Sequence, residues 1–163
     1  MQTPFIRTLK LLTATLAIAM HTAHAEDAAN AKSWRVISSG TSSNIEEATQ
    51  TVIRTPEAWT DWWNQHITTI EVVDGKETTP PPPPVDFDAE TLLVATMGTR
   101  SSGGYAIEFT GINHKGATLI ATLRTTAPDP DGFVTMALTQ PFAIIAVPRH
   151  NGPVTFINET GAK

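Results

Sequence analysis

The stretch GTRSSGGYAIEF, residues 98–109, decides how this chain is read. Glycines and serines crowd its first half, and its second half alternates. Tyr105, Ile107 and Phe109 fall on one face, and Ala106, Glu108 and Thr110 on the other, the period of a half-buried strand. A phosphate cradle has a helix directly after its glycines, so that the helix N-terminus faces the anion. A nucleophile elbow also needs a strand, a turn and a helix around Gly-x-Ser-x-Gly. Here a strand follows, and no Gly-Lys-Ser/Thr accompanies it. The stretch therefore reads as a loop between two antiparallel strands, with Gly103 and Gly104 permitting positive φ and close backbone approach.

Outward from this loop the same extended pattern recurs. Strand patterns occupy residues 34–38, 49–55, 92–97, 105–112, 118–125, 133–139, 142–147 and 154–157, with residues 113–116 as a hairpin connection. Only TPEAWTDWWNQH, residues 55–66, has helical spacing. Thr55 is its expected N-cap, Pro56 sits at N1 where a missing N–H costs nothing, and Glu57 suits the dipole of the first turn. Trp59, Trp62, Trp63 and His66 share one face. Such a face docks on a sheet or forms an aromatic shelf for a sugar or peptide. Burying one indole is worth about 2–3 kcal/mol, which makes the core its default place. The expected fold is mostly β (α+β): a small antiparallel β-sandwich or barrel-like domain with one Trp-rich helix packed on it. Asp74-Gly75 marks a turn, and the unbroken prolines 80–84 read as a polyproline II spacer inside the domain or as a ligand for another one.

The N-terminus carries an address. Arg7 and Lys10 precede the apolar run LLTATLAIAM, and Ala23-His24-Ala25 has the form of a cleavage site. The run is about half the length of roughly 20 residues that spans a bilayer. Residues 1–25 are expected to be a signal peptide, 26–33 a loose leader, and 34–163 a single domain, with no transmembrane helix in the mature chain and a periplasmic or extracellular location. Losing Arg7 and Lys10 takes the net charge from −5 to −7. Such an acidic chain disfavours nucleic acid and anionic membrane as partners. The chain has no cysteine, so thiolate metal sites and thiol redox chemistry are excluded.

Residues with catalytic potential are scattered. The mature histidines, His66, His114 and His150, are far apart in sequence, and each has an ordinary place in a helix end, a hairpin or a loop. Asp129, Asp131 and Gly132 lack the closing glutamate of a calcium loop and read as a proline-rich turn. A serine nucleophile at Ser101 or Ser102 would need His114 or His150 beside it. Asp86, Asp88 and Glu90 form no pattern that singles out a catalytic pair. No catalytic residue, metal site or cofactor is expected.

From residue 34 to 157 the ordered motifs resemble the PrcB-type domain, a family named for an accessory subunit of a bacterial cell-surface protease complex. TVIRTPEAWTDWWNQH is similar to its strand and helix with paired tryptophans. PPVDFDAETLLVATMGTRSSGGYAIEF is similar to its proline–VDF segment, strand and Gly-Gly-Tyr turn. MALTQPFAIIAVPR and GPVTF are similar to its later strands. The family usually has threonine before the Gly-Gly-Tyr, where this chain has Ser102. The resemblance implies an exported β-rich binding module without catalytic residues, engaging a protease or another envelope protein. The expected contact residues are Arg100, Ser101, Ser102, Gly103, Gly104, Tyr105, Gln140, Pro141 and Phe142. A second likeness is to the chagasin-type inhibitors of cysteine proteases, which present a Gly-aromatic loop beside an Arg-Pro-aromatic loop on an immunoglobulin-like sandwich. Here Gln140 stands where those inhibitors have arginine. An envelope ligand- or glycan-binding protein using exposed tryptophans is the remaining alternative.

Overall fold

The structure is a computed structural model, and it describes residues 34–159. The expected signal peptide and leader lie outside the described residues. Nine strands and one helix follow in the order β1 (Arg35–Gly40), β2 (Gln50–Ile53), α1 (Pro56–His66), β3 (Glu71–Val73), β4 (Lys76–Thr78), β5 (Glu90–Thr96), β6 (Ala106–Lys115), β7 (Thr118–Thr126), β8 (Phe142–Pro148) and β9 (Val154–Asn158). They form a four-stranded sheet in the order β1-β8-β5-β2, a three-stranded sheet β6-β7-β9, and a separate β3-β4 hairpin. The fold is mostly β, as expected, and it is not a closed barrel.

The central sheet has both faces covered. Leu93, Ala95, Ala143, Ile145 and Val147 pack against Ile107, Phe109, Leu119, Ala121 and Leu123 of the three-stranded sheet. The alternate residues Leu92, Val94, Phe142, Ile144 and Ala146 pack against Trp59 and Trp63 of α1. The molecule is thus layered helix, sheet, sheet. This explains why β5 and β8 read as continuous apolar runs: a strand buried on both faces has no polar side to alternate. In β6 the outer face meets solvent, and the alternation of Ile107 and Phe109 with Glu108 holds.

Two expectations change. The sandwich is not wholly antiparallel, because β9 runs parallel to β7. Between β7 and β9 the chain leaves for the central sheet as β8, so the two outer strands are joined by a crossover and not by a hairpin. Residues 133–139 form no strand; only an isolated bridge between Arg100 and Thr139 is made there. Their alternating sequence finds no neighbouring strand to complete a ladder. The β3-β4 hairpin turns at Asp74-Gly75, where φ is +52° and +76°, the positive pair that a tight two-residue hairpin requires.

The helix forms as its sequence dictates. The Thr55 hydroxyl accepts from the Ala58 N–H at 3.3 Å, and the chain leaves the helix at Ile67, whose N–H reaches the Trp63 carbonyl. Trp59 and Trp63 are 3% and 7% exposed. Their indole N–H groups donate to the carbonyls of Pro83 and Pro80, at 3.0 and 2.9 Å. Acceptors three residues apart repeat on one side of a polyproline II helix, and donors four apart repeat on one side of an α-helix. The proline run is therefore a strap laid across this domain's own tryptophans.

Candidate functional site

The loop that opened the sequence reading is built against a second loop. After β5, the Met97 N–H donates to the Pro141 carbonyl at 2.8 Å, and the Thr99 N–H to the Glu46 carbonyl at 3.0 Å. Arg100 and Thr139 exchange two backbone bonds, of 2.7 and 3.0 Å. The Gly103 N–H donates to the Thr135 carbonyl at 2.9 Å, and the Thr139 hydroxyl to the Ser102 carbonyl at 2.8 Å. Gly104 then takes φ +86°, and a Cβ there would lie 2.8 Å from Pro128. Glycine at this position serves both the left-handed turn and the close approach of the second loop. Residues 100–105 and 133–140 thus form one cluster in the connections that follow β5 and precede β8.

The chemistry of this cluster is apolar with one cation. Phe133 is fully exposed, Met136 is 90% exposed and Leu138 is 70% exposed. Single exposed apolar residues are ordinary; here three fall within six residues of one loop. The Arg100 guanidinium sits over the Tyr105 ring, 5.6 Å from its centroid. Both side chains are half-buried. Ser101 and Gly104 are exposed, and the Ser102 hydroxyl donates to the Gly103 carbonyl. Gln140 is half-buried, its backbone N–H held by Thr41.

Three of the sequence-predicted contact residues are buried, Gly103 in the turn itself and Pro141 and Phe142. Pro141 is fully buried, and Phe142 is 6% exposed, with its ring edge-on to His66 at 4.3 Å. Phe142 faces α1 because β8 pairs Thr96 with it in the central sheet. Neither side chain is available to a partner. The second aromatic contact loop required by the chagasin-type arrangement is therefore missing from this surface. The exposed apolar side chains near this surface are those of Phe133, Met136 and Leu138. The alternating pattern of residues 133–139 suits a strand and hides them as surface residues; the uncharged composition FVTMAL is the sign in the sequence that points to them.

The tryptophan shelf is likewise corrected. Trp59 and Trp63 are core, and Trp62 is half-buried, stacked between Trp59 at 5.8 Å and His66 at 4.7 Å. The helix face offers no open aromatic platform to a glycan.

His66 is 3% exposed, bonds the Ser43 hydroxyl through Nδ1 at 2.9 Å, and is pushed down to about 4 by burial. His114 and His150 come together, with ring centroids 5.7 Å apart, and His150 Nε2 lies 3.0 Å from the Pro153 carbonyl. Among the described residues no group of three or more histidine, aspartate or glutamate side chains is placed to hold a metal. Ser101 and Ser102 precede β6 while His114 lies next to its last residue, and β6 alone separates Ala106 from His114 by roughly 25 Å. The serines and these histidines are not brought together. Glu90 accepts both ends of the Arg35 fork at 2.7 Å, which holds its carboxyl below the usual range, and Asp86 caps its own turn by accepting from the Asp88 N–H. Asp129 accepts from the Asp131 N–H in the same way, and the segment is a turn.

Residues 91–148 match the model of the PrcB C-terminal family. The match bears out the resemblance drawn from the motifs, over a narrower span. It runs from β5 through β8 and so contains both loops of the cluster, whereas β1, β2, α1 and the proline strap lie outside it. No curated protein and no solved structure matches the chain. The PrcB-like segment is thus the two-sided core of the domain together with the surface just described. Among the described residues no helix is long and apolar enough to cross a membrane.

Proposed function

We propose that this protein is an exported, non-enzymatic binding module that serves as an accessory or regulatory partner of a protease. The observation that carries the reading is the exposed apolar loop of residues 133–138, seated against the Gly103-Gly104 turn. Phe133, Met136 and Leu138 would lose their water-facing area on docking, and a few such apolar anchors supply most of the energy of an interface. Similarity to the PrcB C-terminal family over residues 91–148 supports a protease-associated partner. The signal-like N-terminus supports the bacterial envelope, in the periplasm or outside the cell. The acidic chain supports a protein partner over nucleic acid.

Capture from the native organism's envelope fraction tests this reading. The tagged protein is expected to retain a peptidase stoichiometrically. The triple variant Phe133→Ser, Met136→Ser, Leu138→Ser is expected to keep its circular dichroism and to lose that partner. Peptidase activity that falls on binding would mean inhibition; unchanged or raised activity would mean an accessory subunit. Retention of the same peptidase by the triple variant would refute the proposed surface.

A further inference from the structure

We infer that the loop surface recognises its partner through a carboxylate held by Arg100, on a segment whose neighbouring side chains are apolar; this rests on the docking reading above. The argument begins with the arginines. Five lie among the described residues, and four have acceptors. Arg35 is paired with Glu90, Arg124 with Glu108 and Glu159, and Arg149 with Asp88. Arg54 donates to the carbonyls of His150 and Gly152. Arg100 alone among them has neither a carboxylate nor a carbonyl. Its Nε is the buried side-chain nitrogen without a hydrogen-bond partner among the described residues.

A guanidinium is a strong multiple donor, and leaving a buried donor unpaired is costly. The backbone bridge to Thr139 fixes the Arg100 main chain, and a cation–π contact places its guanidinium 5.6 Å from the Tyr105 centroid. Nε itself is covered, so the donors left for an acceptor are the terminal guanidinium nitrogens, which are not buried and have no partner among the described residues. Arginine's planar fork matches a carboxylate, and stacking on an aromatic ring limits what is lost in ordering it. The setting selects among anions. The chain's net charge of −5 opposes polyanions, and the adjacent loop presents Phe133, Met136 and Leu138. A single carboxylate carried on an apolar peptide segment satisfies both conditions.

The test uses two small probes on the purified protein, N-acetyl-Leu-Phe with a free carboxylate and its carboxamide. Binding is followed by the NMR signals of the arginine Nε–H groups and the methionine methyls. The acid is expected to bind about tenfold tighter than the amide, the worth of one charge-assisted hydrogen bond. Arg100→Gln should abolish that preference, Arg100→Lys should retain part of it, and the triple serine variant should weaken acid and amide alike. Equal affinity for the two probes, no binding of either, or a preference that survives in Arg100→Gln would overturn the inference. A captured peptidase that depends on the apolar triple and not on Arg100 would overturn it while leaving the docking reading intact. A peptidase that ignores the apolar triple would overturn the docking reading itself.

Discussion

Acidification from pH 7 to pH 5 should destabilise this domain through one side chain. His66 is 3% exposed, packed against Trp62, Trp63 and Phe142, and burial lowers its pKa from 6.5 to about 4. The unfolded chain takes up the proton near 6.5, and the folded chain resists it down to about 4. The lowered value means that His66's stability contribution is complete above about pH 6.5 and disappears as pH falls to about 4. At 1.36 kcal/mol per unit the full loss is about 3 kcal/mol, of which about 2 kcal/mol falls between pH 7 and pH 5. With a urea dependence of about 2 kcal/mol per molar, the unfolding midpoint should drop by about 1 M over that interval. Arginine holds the Glu90 and Glu159 carboxyls below their ordinary range, so the stability they contribute is present above the ordinary carboxylate value and fades only below it, beneath this window. His66→Phe keeps an aromatic ring against its neighbours, and the Ser43 hydroxyl keeps the bond it accepts from the Ile45 N–H. The variant should therefore fold and show a flat midpoint between pH 7 and pH 5. A wild-type midpoint that does not move, or an equal drop in the variant, would refute the assignment.

Three further outcomes follow from the packing. Trp63→Phe removes the donor to the Pro80 carbonyl and part of a buried ring, and should cost about 2–4 kcal/mol in urea unfolding; a loss under about 0.5 kcal/mol would mean that the strap is not held by this bond. Gly104→Ala places a Cβ at φ +86° against Pro128, and should cost about 1–3 kcal/mol in thermal unfolding while the far-UV spectrum is kept; an unchanged melting temperature would contradict the loop geometry. Glu90→Gln breaks a partly exposed ion pair with Arg35 and should cost less than about 1 kcal/mol, with the difference shrinking in high salt.

Much of the architecture was legible in the residues. The Thr55-Pro56-Glu57 start, the tryptophan face and the end of α1 were all written locally, because caps and periodicity act within a few residues. The alternation of β6 was legible too, and β5 and β8 were legible as strands, but that their sheet is covered on both faces appears only in the structure. What sequence could not show was pairing. Residues 133–139 alternate like a strand, but no strand lies beside them, and alternation does not identify a partner. Pro141 and Phe142 were expected as contact residues only through the family resemblance; the register with Thr96 turns Phe142 towards His66. The proline strap was open to two readings, since a polyproline II segment looks the same as a spacer or as a ligand. Only its position across the indoles of Trp59 and Trp63 distinguishes them.

The central claim is that residues 133–138 form a docking surface, and site-specific photocrosslinking in the native cell tests it most directly. A benzoylphenylalanine at position 133 should capture one discrete partner with peptidase activity, and the same group at exposed Thr155, on β9 of the outer sheet, should not. No product at position 133, or the same products from both positions, would contradict the account.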